Sequence, residues 1–555
     1  MSESGADVLR GMKLPPPRFL NAPMSAKLQT VVGYKHLQTF FPTLTRLFRI
    51  NKFQSENVWF DTKWRITEII STGAVGNCRV SLEKNIIDCS SQEFSEVPAY
   101  MKVTHLLDPT QWMRGKYSLP KESGLPWHSR TWAHAWHKLQ DPWNQAYVET
   151  IASYALGKLR EEDISPHFNE FYGAFCARAN TYRYNLNDDF SSFRNERWFW
   201  SGKERGLYSL IVKDSDSPGS AIPSHILEEL LTAPSLSDSE GSELSDMDGV
   251  DAGGELESLD TASFDTEEGE EEEEEDEDED EEDKDQYTVY AEMKDFPVML
   301  ILTEENKNTM DYLFEEDVLD AKPGTERWES YWSAWIFQII AACSAMQHIF
   351  GMTHNDLHTN NIVWVETEKE FLYYKNAAGT FWKVPTFGKI FRIIDFGRSI
   401  FTINGTMFVS DDFRPGNDAD GQYEFKPLIA KPKEEVLPNP SFDLARLAVS
   451  LFEGLFPCRP DEAASKKILS EEEGLVVRET VSPLYNCLWM WMVDDNECNI
   501  LMDPDGSEKY PDFYLYKHIA AKVHGAVPSK QFEKAPFSQF ITKEAVEGKV
   551  YSLFC

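Results

Sequence analysis

Asp356 and Asn361 stand five positions apart in the run His354-Asn355-Asp356-Leu357-His358-Thr359-Asn360-Asn361. A carboxylate in such a loop can orient an attacking hydroxyl and take its proton. An amide oxygen just beyond it can ligate a divalent cation, and phosphoryl transfer needs both. A second carboxylate, Asp395, follows in "FRIIDFGRSIF". Hard divalent cations prefer oxygen ligands, so a carboxylate here can bridge Mg²⁺ to nucleotide phosphates. Each motif alone is moderately specific, because short motifs recur by chance. Their order, with an apolar strand beside each, makes the pair a strong signal for nucleotide-dependent phosphotransfer.

Such groups must be delivered by regular elements. The apolar stretch from about Glu326 to Phe350 predicts a helix running into the loop, and "IVWV" after Asn361 predicts a strand anchoring it. The apolar "FRII" is a strand that ends on Asp395. Upstream, alternating apolar and polar residues predict strands in "VWFDTKWRITEIIS", "NCRVSL" and "VPAYMKVTH", the last of which carries Lys102. Helical spacing of Ala146, Ile151, Tyr154, Ala155 and Leu159 predicts a helix over 143–160 that carries Glu149. "SPHFNEFYGAF" and "FPVMLILTEE" read as further strands, and "SFDLARLAVSLFEGLF" as an amphipathic helix. The resulting class is α+β.

This order of motifs resembles the eukaryotic protein-kinase family. Within it, "HNDLHTNNI" and "PTFGKIFRIIDFGRSI" look most like the divergent kinases of large DNA viruses. The resemblance implies a bilobal fold with an antiparallel-sheet N-lobe and a mainly helical C-lobe, ATP and Mg²⁺ as cofactors, and transfer to Ser or Thr hydroxyls of a protein substrate. It implies that Asp356 is the catalytic base and that Asn361 and Asp395 hold the metal. Lys102 would hold the phosphates, oriented by Glu149, while Gly73 and Gly76 of "ISTGAVGNCRV" would close over them. Thr303 would stand at the gatekeeper position, with the backbone of Glu304 and Glu305 meeting adenine. Asp443 would open the central C-lobe helix and hold the catalytic loop, although it could equally be a plain helix cap.

Several positions depart from the family pattern. Ser71 replaces the first glycine of the loop, and 26 residues separate Gly76 from Lys102, which implies an enlarged hairpin. Asn355 stands where many kinases carry an Arg that pairs with a phosphorylated activation loop, so activity without that phosphorylation is expected. His358 stands where a Lys usually steadies the γ-phosphate, and it could do so only as a donor. No A-P-E triplet precedes Asp443; the nearest text is "LIAKPKEEV". "DLH" also occurs in small-molecule phosphotransferases similar to aminoglycoside and choline kinases. The competing readings are therefore such an enzyme, or a pseudokinase scaffold.

The chain has 555 residues and a formal net charge of −39. Residues 214–286 hold 31 acidic residues and one Lys, which leaves the remainder at −9. Nucleic-acid binding, which needs clustered Lys and Arg, is not expected. The acidic tract reads as a disordered insert in the N-lobe. Its functional alternatives are a dock for a basic protein partner or an electrostatic flap, and Ser237 and Ser245 read as acidophilic phosphorylation sites. Eight scattered cysteines with no C-x-x-C pair fit a reducing compartment. Neither a signal peptide nor a membrane span is read, so an intracellular monomer is expected. The domain reading is an extension over 1–55, an N-lobe over 56–303 interrupted at 214–286, and a C-lobe with a C-terminal extension over 304–555.

Overall fold

The structure, a computed structural model, describes residues 13–19, 24, 26–50, 58–73, 76–84, 94–117, 135–214, 222–233, 287–315, 318–472, 475–501, 508–544, 546 and 548–555. It is of mixed α and β type and divides into two compact units. One comprises Met1–Asp108, Ser118–Asn180 and Phe296–Cys555, and the other Pro109–Tyr117 and Thr181–Asp295. This division does not follow the lobe boundary at 303 read from the sequence.

In the first unit, strands β1 (Tyr34–Gln38), β2 (Trp64–Thr72), β3 (Asn77–Lys84), β4 (Phe94–His105), β5 (Phe171–Asn185) as far as Asn180 and β6 (Tyr287–Glu304) from Phe296 onward lie in the order β1-β5-β6-β4-β3-β2. Residues 1–55 are thus not merely an extension: β1 pairs antiparallel with β5, Tyr34 opposite Ala179. Its text "YKHLQ" lacks the alternation that marks a strand, and sheet pairing rather than local propensity makes it one. Strand β4 pairs antiparallel with β6, with Lys102 opposite Ile301 and Tyr100 opposite Thr303. Side chains alternate along a strand, so Ala99 and Met101 enter the core while Tyr100 and Lys102 share the other face.

Helix α1 (Pro42–Phe48) precedes the long helix α2 (Gln145–Glu161). Asn144 caps α2, its side chain accepting from the Ala146 N–H at 3.1 Å and donating to Leu106 O at 2.9 Å. Helix α3 (Glu326–Phe350) starts at the Thr325 cap and stops at Gly351, whose left-handed φ of 57° directs its N–H back to Gln347 O. Among the described residues α3 is the one helix long and apolar enough to cross a membrane, and the fold buries it on nearly all sides. Each of Phe337, Ile339 and Ile340, fully enclosed there, contributes about 1.5–3 kcal/mol.

Beyond α3 and the loop, Ile362–Glu366 pairs antiparallel with Lys389–Ile393. Between them Phe371–Lys375 and Phe381–Pro385 form a second antiparallel pair. The C-terminal segment completes that sheet, with Val550–Ser552 parallel to Phe371–Lys375 and Ile541–Thr542 on the opposite edge. Helix α4 (Phe442–Leu455) and helix α5 (Tyr514–Lys522) pack in the same unit.

In the second unit Ser209–Asp214 pairs antiparallel with Tyr287–Glu292, and short helices cover 187–193 and 197–204. The expectation of disorder throughout 214–286 is corrected at one place: Ser224–Leu231 is a helix with Leu230 buried. Its text "SHILEELL" carries apolar residues at helical spacing, which the acidity of the whole tract outweighs in composition alone. The acidic run itself, with Ser237 and Ser245, lies outside the described residues.

Candidate active site

The alternation of β4 and the burial of α2 bring Lys102 and Glu149 together. Lys102 Nζ lies 2.5 Å from Glu149 Oε1 and 2.7 Å from Asp395 Oδ1. Glu149 is 3% exposed, and its second oxygen accepts from Thr104 Oγ1 at 3.2 Å. Burial works against the Lys102 charge, but the two carboxylates outweigh it and raise its pKa above the ordinary value. Burial likewise pushes the Glu149 carboxyl up, while Lys102 pulls it back. For Asp395 burial is overcome by Lys102, and the pKa falls to about 2. Asp395 has a left-handed φ of 66°, a conformation uncommon outside glycine and one that Asp tolerates.

Beside these groups lies a cavity of about 300 Å³ lined by Tyr100, Lys102, Glu149, Leu156, Phe168, Ile301, Thr303, Asn306, Val363, Ile393 and Asp395, among others. An apolar wall with a few convergent polar groups is the composition of a small-molecule site. Thr303 lines it as read from the sequence, but Glu304 and Glu305 do not. The Glu304 N–H donates to Glu170 O at 3.0 Å, and its carboxylate meets buried Arg392 at 3.0 Å. Arg392 also donates to Asn169 and Asn306, both on the cavity wall, at 3.3 Å each. Nothing in "FRIID" marked that arginine as a wall clamp rather than an exposed strand residue.

The glycine turn keeps its backbone logic but does not line the cavity. Gly73 N–H closes on Asn77 O at 2.6 Å. Gly76 has φ +82°, and a Cβ there would lie 2.8 Å from the Tyr100 ring and 2.9 Å from Met101 O. Absence of a side chain at Gly76 therefore makes room for Tyr100. The tip, residues 74–75, lies outside the described residues.

The loop after α3 is held from below. Asp443, fully buried on α4, accepts from the His354 N–H at 3.0 Å and the Asn355 N–H at 2.9 Å. Ser441 and not Asp443 occupies the helix cap position. Asn355 (φ +67°) donates to Arg398 O at 2.9 Å and accepts from the Tyr423 hydroxyl at 2.8 Å. A neutral, fully spent amide thus occupies that position. His354 Nε2 lies 2.8 Å from Ile394 O, so its Nδ1 is left to accept from the Asp356 N–H at 3.3 Å.

Asn361 donates its amide to Asp356 O at 2.8 Å and toward His358 Nε2 at 3.0 Å, which leaves the amide oxygen as its remaining polar atom. His358 is therefore an acceptor at Nε2, and burial lowers its pKa. A donor role for His358 then falls to its Nδ1. The negative charges of Asp356 and Asp395 oppose that lowering of the pKa without reversing it. Among the described residues there is no group of three or more His, Cys, Asp or Glu able to hold a metal. The oxygens of Asn361 and Asp395 fit Mg²⁺ all the same, since that ion is commonly held by one or two carboxylates together with substrate phosphates and water.

Two partners of Asp356 come from unexpected places. The Tyr516 hydroxyl of α5 donates to Asp356 Oδ1 at 2.8 Å. Arg398 lies 3.7 Å from Asp356 Oδ2 and donates to Asp412 at 2.9 Å. Arg398 follows Gly397 directly and is a cation that a search for partners of the carboxylates could have found. Tyr516 lies in a stretch that matches no motif, 160 positions from Asp356. No protein-family model matches the chain, and no curated protein matches it.

Proposed function

We propose that the chain is an ATP-dependent phosphotransferase with a bilobal protein-kinase architecture, acting on Ser or Thr hydroxyls of a protein substrate. The observation that carries the reading is Lys102, held between Glu149 and Asp395 beside the cavity, with Asp356 and Asn361 joined in the adjacent loop. Nucleotide would lie in the cavity against Thr303 and Ile301, and Lys102, kept protonated, would meet its phosphates. Asn361 and Asp395 would hold Mg²⁺, which supplies charge neutralisation on the phosphates when bound. Asp356 orients the acceptor hydroxyl and takes its proton at the oxygen that Tyr516 leaves available. Most of the acceleration in such a site comes from positioning and electrostatics.

The neutral Asn355 supports activity without a phosphorylated activation loop. The acidic tract at 214–286 supports docking of a basic protein partner. The test uses the purified full chain with Mg-ATP, a generic protein substrate and a metabolite panel. Transfer to protein is expected, and Asp356→Asn should abolish it while a thermal shift with Mg-ATP persists. Transfer to a metabolite alone would move the acceptor class. Full activity in Asp356→Asn would remove that residue's role, and nucleotide binding without transfer in the unaltered chain would leave a scaffold.

A further inference from the structure

Between Asp395 and Asp443 the chain makes a short turn, Asp411–Phe413, that no motif distinguishes. Asp411 is 2% exposed, an uncommon place for a carboxylate without a role. Its Oδ1 accepts from the Gln145 N–H at 2.8 Å, the first residue of α2. Its Oδ2 lies 2.6 Å from Lys138 Nζ, and its own N–H donates to Trp143 O at 2.8 Å. A carboxylate at this end also meets the positive pole of the helix. The start of the helix that carries Glu149 is thus fastened to this turn at two points, Gln145 and Trp143, and the short helix Trp136–Gln140 before it at a third, Lys138. Arg414 adds an ion pair to Asp141.

The next residue faces the other half of the site. Asp412 accepts from Arg398 Nε at 2.9 Å, and the same guanidinium reaches to 3.7 Å from Asp356. Two consecutive carboxylates therefore lead one to Glu149 and Lys102, the other to Asp356.

We propose that Asp411 and Asp412 are positioning residues that hold the two halves of the site in register, Asp411 through the start of α2 and Asp412 through Arg398. The proposal rests on the phosphotransfer reading for its kinetic consequences, though not for its structural ones. The anion that fastens the turn is supplied by the sequence, so no phosphate has to be added to it. A hydrogen-bonded, buried pair of this kind has one arrangement and fixes the helix in it.

The experiment compares Asp411→Ala, Asp411→Asn and Asp412→Asn in the full chain, each checked for folding by its melting transition. Hydrogen exchange of residues 145–161 reads the helix without any need for activity. Asp411→Ala should speed exchange in its first turns about tenfold, the scale of a lost helix cap. Asp411→Asn keeps an acceptor for Gln145 and should recover part of that protection. Kinetically, Asp411→Ala should raise KM for Mg-ATP and lower kcat. Asp412→Asn should lower kcat with KM for Mg-ATP unchanged, and phosphatase treatment of the unaltered chain should leave its rate intact. Unchanged exchange in Asp411→Ala, or the same KM and kcat pattern in Asp411 and Asp412 variants, would overturn the proposal. Absence of transfer by the unaltered chain would instead sink the phosphotransfer reading, and the exchange result would still decide the role of Asp411.

Discussion

The Lys102 side of the candidate site, proposed to meet phosphates, and the Asp356 side, proposed to meet the acceptor, are built on different principles. Lys102, Glu149 and Asp395 satisfy one another at 2.5 and 2.7 Å, each on a regular element or at its end. Asp356 is instead surrounded by borrowed partners, Tyr516 from α5 and Arg398 beyond the glycine that follows Phe396. The first arrangement keeps its ion pairs within itself, one cation between two carboxylates. The second depends on parts of the chain that have no other reason to be near. A closed ion-pair set resists change until one member is lost, whereas a borrowed partner can be altered and only shift the rate.

The largest effect is expected from breaking the closed set. Lys102→Met leaves Glu149 buried without its cation, which costs about 3–5 kcal/mol of stability. The double variant Lys102→Met/Glu149→Gln should recover part of that loss in chemical denaturation, while transfer stays lost in both. Equal stability of the single and double variants would mean that the pair is not closed.

Acid should next weaken the support of the phosphate side. His167 is buried, with Nδ1 2.9 Å from Phe391 O and Nε2 2.8 Å from the Tyr374 hydroxyl, and Phe391 lies on the strand that leads to Asp395. Burial disfavours its charged form and lowers its pKa from 6.5 to about 4. The unfolded chain then binds a proton that the folded chain refuses, so stability is complete above about pH 6.5 and falls as pH drops toward 4, by roughly 3 kcal/mol in all. In His167→Gln that part of the pH dependence should be gone, as read from denaturation midpoints between pH 7 and 4.

Gly76→Ala should cost about 1–2 kcal/mol, from the positive φ and from contact with the Tyr100 ring. Tyr100→Ala in the same chain should relieve the ring contact and recover part of that cost, leaving the strained φ and the contact with Met101 O. A smaller change is expected at the acceptor side. Tyr516→Phe removes one hydrogen bond to Asp356, worth about 1.5–3 kcal/mol at most to a charged group and less where water replaces it. It should alter kcat several-fold and leave KM for Mg-ATP unchanged; an equal change in both would place Tyr516 on the nucleotide side.

The same contrast decides what could be read in the sequence. Helix α3 runs over Glu326–Phe350, as its apolar text predicts, and α2 starts two residues later than its periodicity suggests. Lys102, Glu149 and Asp395 were legible because each sits in a local pattern, a strand or a periodic helix, and because the family resemblance implies what stands at those positions. Tyr516 was not, because a tyrosine on a short helix has no local mark of what lies opposite it. Asp411 and Asp412 belong to no motif, and only tertiary contact gives them partners. Strand β1 was missed for the related reason that an edge strand takes its structure from its neighbour. Strand β6 begins at Tyr287, nine residues before the apolar stretch, since "YTVYAEMKD" alternates but follows directly on the acidic run.

The small sheet built on Phe371–Lys375 has a consequence for how the molecule comes into being. Tyr373 pairs in parallel with Val550, and Ser344 of α3 donates to Leu553 O at 2.6 Å. These contacts join positions far apart in sequence, and parallel pairing of that kind is slow to form because a long loop must close first. During synthesis the loop bearing Asp356 would leave the ribosome well before its supporting edge exists. Until residues 550–552 are made, Phe371–Lys375 is paired on one edge only, with Phe381–Pro385. Completion of this sheet should therefore come late, and the interval before it is when the chain would depend most on chaperones.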